Sequence, residues 1–521
     1  MPDCRTARTI EDMPALYNAA ADILGGNLQA GRADKVAVID GVGETTYGAL
    51  AAHVDRMTNA LHAAGLQRGQ RLLLCLLDSV AFPIAFLGAI KAGIVPVPLN
   101  TMLPSEDYRW LLSDSEANAV FVSAALAPQW EAIRASRPDV QFFSDGAPGW
   151  ADFRARAAQA PAHAEAAQTR RDDVAFWLYS SGSTGKPKGV VHRQSSMRLT
   201  ANLYALGVAG YRETDVVLSV AKLFFAYGLG NALTFPFAAG ATAVLFEGRA
   251  TPEPINALLR RHGVTILGGV PTFFANWLAH DGGPKRGDMP SLRLATSAGE
   301  ALPAHLGQAV HDRLGIDVLD GLGSTEMLHI FISQQPGQVR YGCTGKVVPG
   351  YEARIIADDG TPALAGAHGE LQVKGPTSAS LYWRNPEKTA ATFVGEWTRT
   401  GDQYVCDEEG WYSCVGRRDD MMKVGGIYVS PLEVEEALAC HACVLEAAVV
   451  PAPDEDGLIK PKAYIVLKQG FAPGDGLEAE LKAHVKARLA PYKYPRWFAF
   501  VRALPRTPTG KLQRFKLRDA L

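Results

Sequence analysis

Between Arg71 and Leu77 the chain reads RLLLCLL, apolar almost throughout, as a strand covered on both faces must be. A helical pattern follows to Lys91, and GIVPVPL then supplies a second such strand. Short apolar runs alternating with helical patterns across the front half predict a layered α/β fold with much parallel sheet. VAFWLYS, Val174 to Ser180, is a further buried run, and such sheets bind ligands at the loops that follow their strands. From about Ile330 the texture changes to short alternating segments separated by turn signals such as DDGTPALAGAHGE and DEEGWY, which predicts antiparallel strands or a small barrel. After GRRDD, Gly416 to Asp420, the pattern is mixed again, with a helix over Pro431 to Ala439, strands near Ala447 and Ala463 and a helix near Leu477 to Leu489. That tail of roughly one hundred residues suits a separate small domain. The stretch Ala151 to Thr169, rich in alanine, reads as a surface helix and linker.

VAFWLYS runs straight into YSSGSTGKPKG, Tyr179 to Gly189. Ser180, Ser181, Gly182, Ser183, Thr184 and Gly185 stand ahead of Lys186, Pro187 and Lys188, so backbone N–H groups, hydroxyls and two ammonium groups share one short segment. Those are the groups an anionic phosphate needs. A Walker loop requires four residues between its glycines and then Lys with Ser or Thr. Here only two residues separate Gly182 from Gly185, and Pro187 stands where the magnesium-binding hydroxyl belongs, so this is a phosphate loop of another kind.

Composition narrows the class. The chain has 521 residues, more than one core usually supports, and is 47% hydrophobic and 20% charged, as soluble globular proteins are. A net charge of -2 leaves no electrostatic footprint for nucleic acid or an anionic membrane. The opening MPDCRTARTIEDMPALYN has no apolar core of the kind a secretory signal needs, and a cytoplasmic location is expected. Phe224 to Phe246 is uncharged and long enough to cross a bilayer, but Gly228, Gly230, Asn231, Pro236 and Gly240 divide it into pieces better suited to a buried interior. Seven scattered cysteines suit free thiols in a reducing compartment, and Cys440 and Cys443, at a helix-to-strand turn with no second pair nearby, read as structural.

Six motifs then occur in order: YSSGSTGKPKG, SAGEALP (Ser297 to Pro303), DGLGSTE (Asp320 to Glu326), RTGD (Arg399 to Asp402), GRRDDMMKVGG (Gly416 to Gly426) and PRTPTGK (Pro505 to Lys511). Together they resemble the adenylate-forming superfamily of acyl-CoA synthetases, peptide-synthetase adenylation domains and luciferases. The resemblance covers nearly the whole chain, since TYGALAAHVDRMTNALHAAGLQRGQ and KAGIVPVPLN also look like this family's N-terminal segments. It implies a large domain over residues 1–418, of layered α/β sheets with a small β-barrel-like subdomain, and a small mobile α+β domain over 419–521. Such enzymes turn a carboxylate into an acyl-adenylate using ATP and Mg2+, then let a thiol attack. Two mutually repelling anions meet in the first step, so positive charge must be supplied there. By resemblance Lys511 bridges them. The loop, with Ser181, Gly182, Ser183, Thr184, Gly185, Lys186 and Lys188, holds the β- and γ-phosphates. Thr184 and Glu326 are the magnesium-side oxygen donors, with Thr325 beside them. Asp402 takes the ribose hydroxyls, backed by Arg417. The backbone of Ala298, Gly299 and Glu300 flanks the adenine, and Asp320, next to Gly321, accepts from its amine. Leu322 departs from the aromatic residue many members carry at that point, so a stacking partner for adenine is lacking there.

For the second step the resemblance implies rotation about Asp419, which withdraws Lys511 and presents Lys423, Gly425 and Gly426 to coenzyme A. Glycines let a narrow pantetheine arm approach the backbone closely. The acid pocket is expected from KLFFAYGLGN and the segment after Glu326. Phe225, Ala226, Tyr227, Leu229, His329 and Ile330, with Gly299 and Gly321, make a short apolar slot with no arginine for a second carboxylate. His329 is either a wall of this slot or a catalytic group. Benzoate fits the slot, and the whole segment resembles the benzoate–CoA ligases. The chain stops ten residues after Lys511, with no appended carrier domain. Coenzyme A is therefore the leading acceptor, ahead of a separate carrier protein. A luciferase-like oxidase and a non-catalytic ATP-binding module are the remaining alternatives. Oligomeric state is open, a homodimer being one expectation.

Overall fold

Parallel pairing runs through the middle of a nine-stranded sheet, from Val36–Ile39 through Thr242–Val244, Val216–Ser219, Ile266–Gly269 and Leu294–Ser297 to Asp317–Gly323. Antiparallel strands close it on both sides: Glu44–Thr46 at one edge, Ile330–Ser333 and Lys346–Val347 at the other. Ile266–Gly269 and Leu294–Ser297 are buried at every position, so neither shows the alternation of a strand with one open face. The computed structural model describes residues 4–182, 185–280, 283–285, 287–417, 420–424, 427–455, 458–490, 492–506 and 512–518.

A second, five-stranded sheet is parallel throughout, in the order Val95–Pro98, Arg71–Cys75, Ala119–Val122, Gln141–Ser144, Ala151–Asp152. RLLLCLL and GIVPVPL are thus neighbours, with helix Ala81–Lys91 as their crossover. The run VAFWLYS departs from expectation. Its strand, Val174–Gly182, joins neither parallel sheet but pairs antiparallel with Gly185–Arg193, and Leu381–Tyr382 adds a third strand. The phosphate motif is therefore carried on an antiparallel pair, in which Gly182 stands opposite Gly185.

Beyond Ile330 the strands Glu352–Ile356, His368–Lys374, Trp397–Cys406, Phe393–Val394 and Tyr412–Arg417 form an antiparallel sheet, as the alternating pattern implies. The stretch Phe224 to Phe246 folds into short helical pieces, Ala226–Leu229, Gly230–Thr234 and Phe235–Ala239, and the strand Thr242–Val244. Gly240 ends the last piece at φ 76°, which a residue with a Cβ adopts only at a cost. Among the described residues no helix is long and apolar enough to cross a membrane.

The C-terminal elements have cores of their own. Helix Pro431–Ala439 starts where its sequence says: the Ser430 hydroxyl accepts from the N–H of Glu433, and proline follows at the first turn. It packs with Asp475–Lys486 on strands Val444–Pro453 and Ile459–Leu467, to which Trp497–Phe500 adds in parallel. Met422, Val434, Leu438, Val449, Ile465 and Leu481 share this buried centre. Each such side chain stabilises by roughly 1.5 to 3 kcal/mol relative to exposure. Cys440 caps the helix and is exposed, Cys443 is buried, and all seven cysteines are free.

Candidate active site

Neighbouring parallel strands end together and hand over to the motif segments. Ser219 is in register with Gly268, Gly269 with Ser297 and Ser297 with Asp320, so KLFFAYGLGN, SAGE and DGLGSTE all leave from one edge of the sheet. Carboxyl ends of parallel strands are where open α/β sheets take ligands. Gly299 sits there at φ 95°, and a Cβ built on it meets nothing nearer than Val270 at 4.0 Å, so the backbone faces open space.

Phe225, Ala226 and Tyr227 are half-buried at this edge. The His329 ring lies between Tyr204 and Tyr227, at centroid distances of 5.6 and 5.4 Å and 30° to each, with Phe235 edge-on at 4.3 Å. Its Nε2–H donates to the Tyr227 carbonyl at 3.3 Å. Burial drives its pKa down to about 3, against a backbone bond that raises it, so the ring is neutral near pH 7. The Tyr227 hydroxyl is 2.8 Å from that of Thr296. Ile330 is 2% exposed and packs on Gly321, where a Cβ would come within 2.9 Å of it. Leu229 is wholly buried and packs in the interior cluster that includes Phe176 and Phe237.

Asp320 is buried and its Oδ2 accepts from the N–H of Leu302 at 3.4 Å, while Oδ1 has no hydrogen-bond partner among the described residues. Burial raises its pKa to about 8. Leu322 is half-buried and offers an aliphatic face. Asp402 and Arg417 stand directly opposite each other on paired strands. Arg399 of the same motif is committed to Glu370, at 2.6 Å.

Contacts from two other segments converge on Glu326. Its Oε1 accepts from the Tyr382 hydroxyl at 2.7 Å, and its carbonyl from the N–H of Ala379 at 2.7 Å. The Lys188 ammonium lies 4.6 Å above the Tyr382 ring. His192, on the strand leaving the phosphate motif, donates from Nε2 to the Thr325 carbonyl at 2.8 Å. No group of three His, Cys, Asp or Glu side chains able to hold a metal occurs among the described residues. A single carboxylate next to a phosphate motif suits Mg2+, which keeps its waters and binds through one or two carboxylates plus substrate phosphates.

Ser183, Thr184, Asp419, Gly425, Gly426 and Lys511 lie outside the described residues, as do the side chains of Ser181, Lys186, Arg417 and Lys423. Gly182 and Gly185 are placed by backbone register alone, and Lys423 pairs with Tyr428 on a two-stranded ribbon. Sequence reasoning missed Tyr382, His192 and Arg506. His192 stood just after the loop, while Tyr382 lies in SASLYWRNP, which matches no motif. Arg506 stood inside PRTPTGK without a role; it contacts Glu300. A cavity of about 780 Å³ opens beside the hairpin, floored by Trp177, Tyr382 and Trp383. Its three guanidinium groups are already bound, Arg68 to the Gln168 carbonyl and Asp173, Arg71 to the Ser115 and Glu116 carbonyls and Arg384 to the Glu116 carboxylate, so it is no rival anion site.

The family profile of AMP-binding enzymes matches residues 27–383, and that of the AMP-binding enzyme C-terminal domain matches residues 433–511. The chain belongs to the AMP-binding enzymes. This AMP-binding enzyme is 55% identical to a benzoate–CoA ligase of Thauera aromatica, over 98% of its own length and 97% of the relative's. Its structure superposes on that of a benzoate CoA ligase from Burkholderia xenovorans LB400 with a TM-score of 0.91 at 48% identity, covering 96% of this chain and 100% of that one. An anthranilate CoA ligase, AuaEII, solved in complex with anthranoyl-AMP, gives a TM-score of 0.93 at 41% identity, covering 98% of each chain. The two-domain α/β architecture of the adenylate-forming enzymes is thus the architecture of this one.

Proposed function

We propose that this AMP-binding enzyme is an aryl-CoA ligase, which activates benzoate or a closely related aromatic acid with ATP, releases pyrophosphate and passes the acyl group to coenzyme A, giving benzoyl-CoA and AMP. The observation that carries this reading is the aromatic wall at the strand ends, where a neutral His329 lies between two tyrosine rings beside the AMP-binding motifs. A flat apolar ring fits such a wall, and a second carboxylate does not. Full-length likeness to benzoate–CoA ligases supports it.

Within this proposal Lys511 neutralises the carboxylate and phosphate as they meet, and the loop from Ser181 to Lys188 holds the β- and γ-phosphates. Glu326 and Thr184 hold Mg2+. Asp402 and Arg417 take the ribose, and Ala298, Gly299, Glu300, Asp320 and Gly321 surround the adenine. The Oδ1 of Asp320, buried and without a hydrogen-bond partner among the described residues, supports its part, since a buried polar atom awaits a partner. Residues 419–521 then turn about Asp419, and Lys423, Gly425 and Gly426 face coenzyme A. Free thiols throughout support a cytoplasmic site of action, and small molecules rather than nucleic acid or membrane are its partners. A homodimer belongs to the same proposal and is read by light scattering.

The Tyr227–Thr296 hydroxyl pair favours a second reading, in which a ring hydroxyl or amino group of the acid is also accepted. Pyrophosphate release measured across a panel of acids, with and without coenzyme A, decides. Benzoate and small ring-substituted analogues lead the profile if the reading holds; a profile led by acetate or a long alkyl acid overturns it.

A further inference from the structure

The Glu300 side chain reaches two residues of the C-terminal segment, more than 200 positions on in sequence. Its Oε1 accepts from the backbone N–H of Leu512 at 3.0 Å and from Arg506 Nη1 at 3.2 Å. Arg506 and Leu512 also pair with each other in an antiparallel bridge, and the N–H of Gln513 donates to the Pro505 carbonyl at 2.8 Å. These contacts close the base of the segment that bears Lys511. One carboxylate from SAGE thus grips both legs of that segment.

We propose that Glu300 is a positioning residue, a latch that holds the Lys511 segment at the adenylation site for the first half-reaction and lets go for the second. The proposal rests on the ligase reading above. Its chemistry is that of a reversible clasp. Arg506 is shared: Nη2 reaches Glu446, on its own side of the clasp, at 3.2 Å. When the clasp opens, Arg506 keeps Glu446, Glu300 returns to water, and no charge is left buried alone. Side-chain exposures of 30% for Glu300 and 22% for Arg506 keep the ion pair partly screened, so it biases an orientation without locking it. The Leu512 N–H adds direction that a bare ion pair lacks.

The test uses full-length Arg506→Gln, Arg506→Lys, Glu300→Gln and the Arg506→Gln/Glu300→Gln double variant. Pyrophosphate release from ATP and benzoate reports the first half-reaction, and conversion of supplied benzoyl-adenylate plus coenzyme A reports the second. Arg506→Gln is expected to slow the first about tenfold, the scale of a charge-assisted hydrogen bond, with the KM for ATP and the second half-reaction held. Arg506→Lys recovers part of the loss, and the double variant is no slower than Glu300→Gln, since both remove one interaction. Equal slowing of the two half-reactions, or independent losses that multiply in the double variant, overturns the latch. Hydrogen exchange at the Leu512 amide reads the clasp without turnover. It quickens in Glu300→Ala if the clasp exists, and unchanged protection overturns it whether or not benzoate is the substrate. Failure of the wild type to release pyrophosphate with any aromatic acid overturns the ligase reading instead.

Discussion

His192 and Thr325 are joined by a hydrogen bond of 2.8 Å from the imidazole Nε2–H to the backbone carbonyl, 133 residues apart in sequence. A carbonyl only accepts, so the proton sits on Nε2. The same oxygen accepts from the N–H of Leu328 at 3.1 Å, and Leu328 has φ 67°, a conformation that costs a bulky residue energy. The bond therefore ties the strand leaving the phosphate motif to a strained turn bearing Glu326. His192→Ala is expected to lower stability by about 1 to 3 kcal/mol and to slow pyrophosphate release, because two phosphate-side motifs lose their common register. His192→Gln, which still offers an N–H, loses less. Thermal melts and the release assay check it, and a wild-type melt and rate for His192→Ala would contradict it.

The same ring makes a pH prediction. Burial depresses His192 to about 4 and His329 to about 3, from an ordinary 6.5. As pH falls below 6.5 the unfolded chain takes protons that the folded rings refuse, so their contribution to stability is complete above 6.5 and is lost on the way down to their folded values. For His192 this amounts to about 3 kcal/mol by pH 4. Asp320 and Asp78, raised by burial to about 8 and about 6, act in the opposite direction. The difference between wild type and His192→Gln isolates the ring: the variant's denaturation midpoint should gain on the wild type's as the solution is acidified from pH 7 to 4.5. Parallel curves would refute the neutral buried imidazole.

Much of this architecture is legible residue by residue. Ser430 and Pro431 announce a helix start, and the predicted helix from Pro431 to Ala439 is the one observed. VAFWLYS shows where legibility stops. An apolar run reports that a strand is covered, not which strand covers it, so periodicity could not distinguish a parallel sheet from the antiparallel pair it forms with Gly185–Arg193. At the site, motif residues could be named because they are contiguous, while the side chains that hold them could not. Tyr382 meets Glu326 across 56 residues and Arg506 meets Glu300 across 206, and neither separation leaves a local pattern. His329 was ambiguous in sequence because an isolated histidine carries no sign of burial; the structure packs three aromatic rings around it.

Gly230 is explained by that same ring. A Cβ at this position would fall 2.3 Å from His329 Cδ2 and 3.0 Å from Phe235 Cζ, with both rings packed too tightly to move aside freely. Gly230→Ala is expected to cost about 1 to 3 kcal/mol of stability through overpacking. Displacing His329 also shifts the Tyr227 wall, so the KM for benzoate should rise while that for ATP stays near the wild-type value. Steady-state kinetics with each substrate varied in turn separates these, and a rise confined to ATP would count against His329 as pocket wall.

Tyr382 tests the phosphate side without touching the motifs themselves. Its hydroxyl donates to Glu326 Oε1, and its ring lies under the Lys188 ammonium. Tyr382→Phe removes only the hydroxyl and keeps the face for Lys188, so Glu326 loses one donor, a hydrogen bond to a charged group that typically contributes about 1.5 to 3 kcal/mol. A carboxylate no longer held in one rotamer presents its oxygens to a cation less often, and outer partners of this kind change metal affinity by about 10- to 100-fold when removed. The Mg2+ concentration for half-maximal pyrophosphate release should therefore rise in Tyr382→Phe, with the KM for benzoate unchanged. Tyr382→Ala, which also strips the seat from Lys188, should raise the KM for ATP as well. A Tyr382→Phe enzyme with an unaltered Mg2+ requirement would show that Glu326 needs no help in facing the cation, and that its bond to the tyrosine serves packing alone.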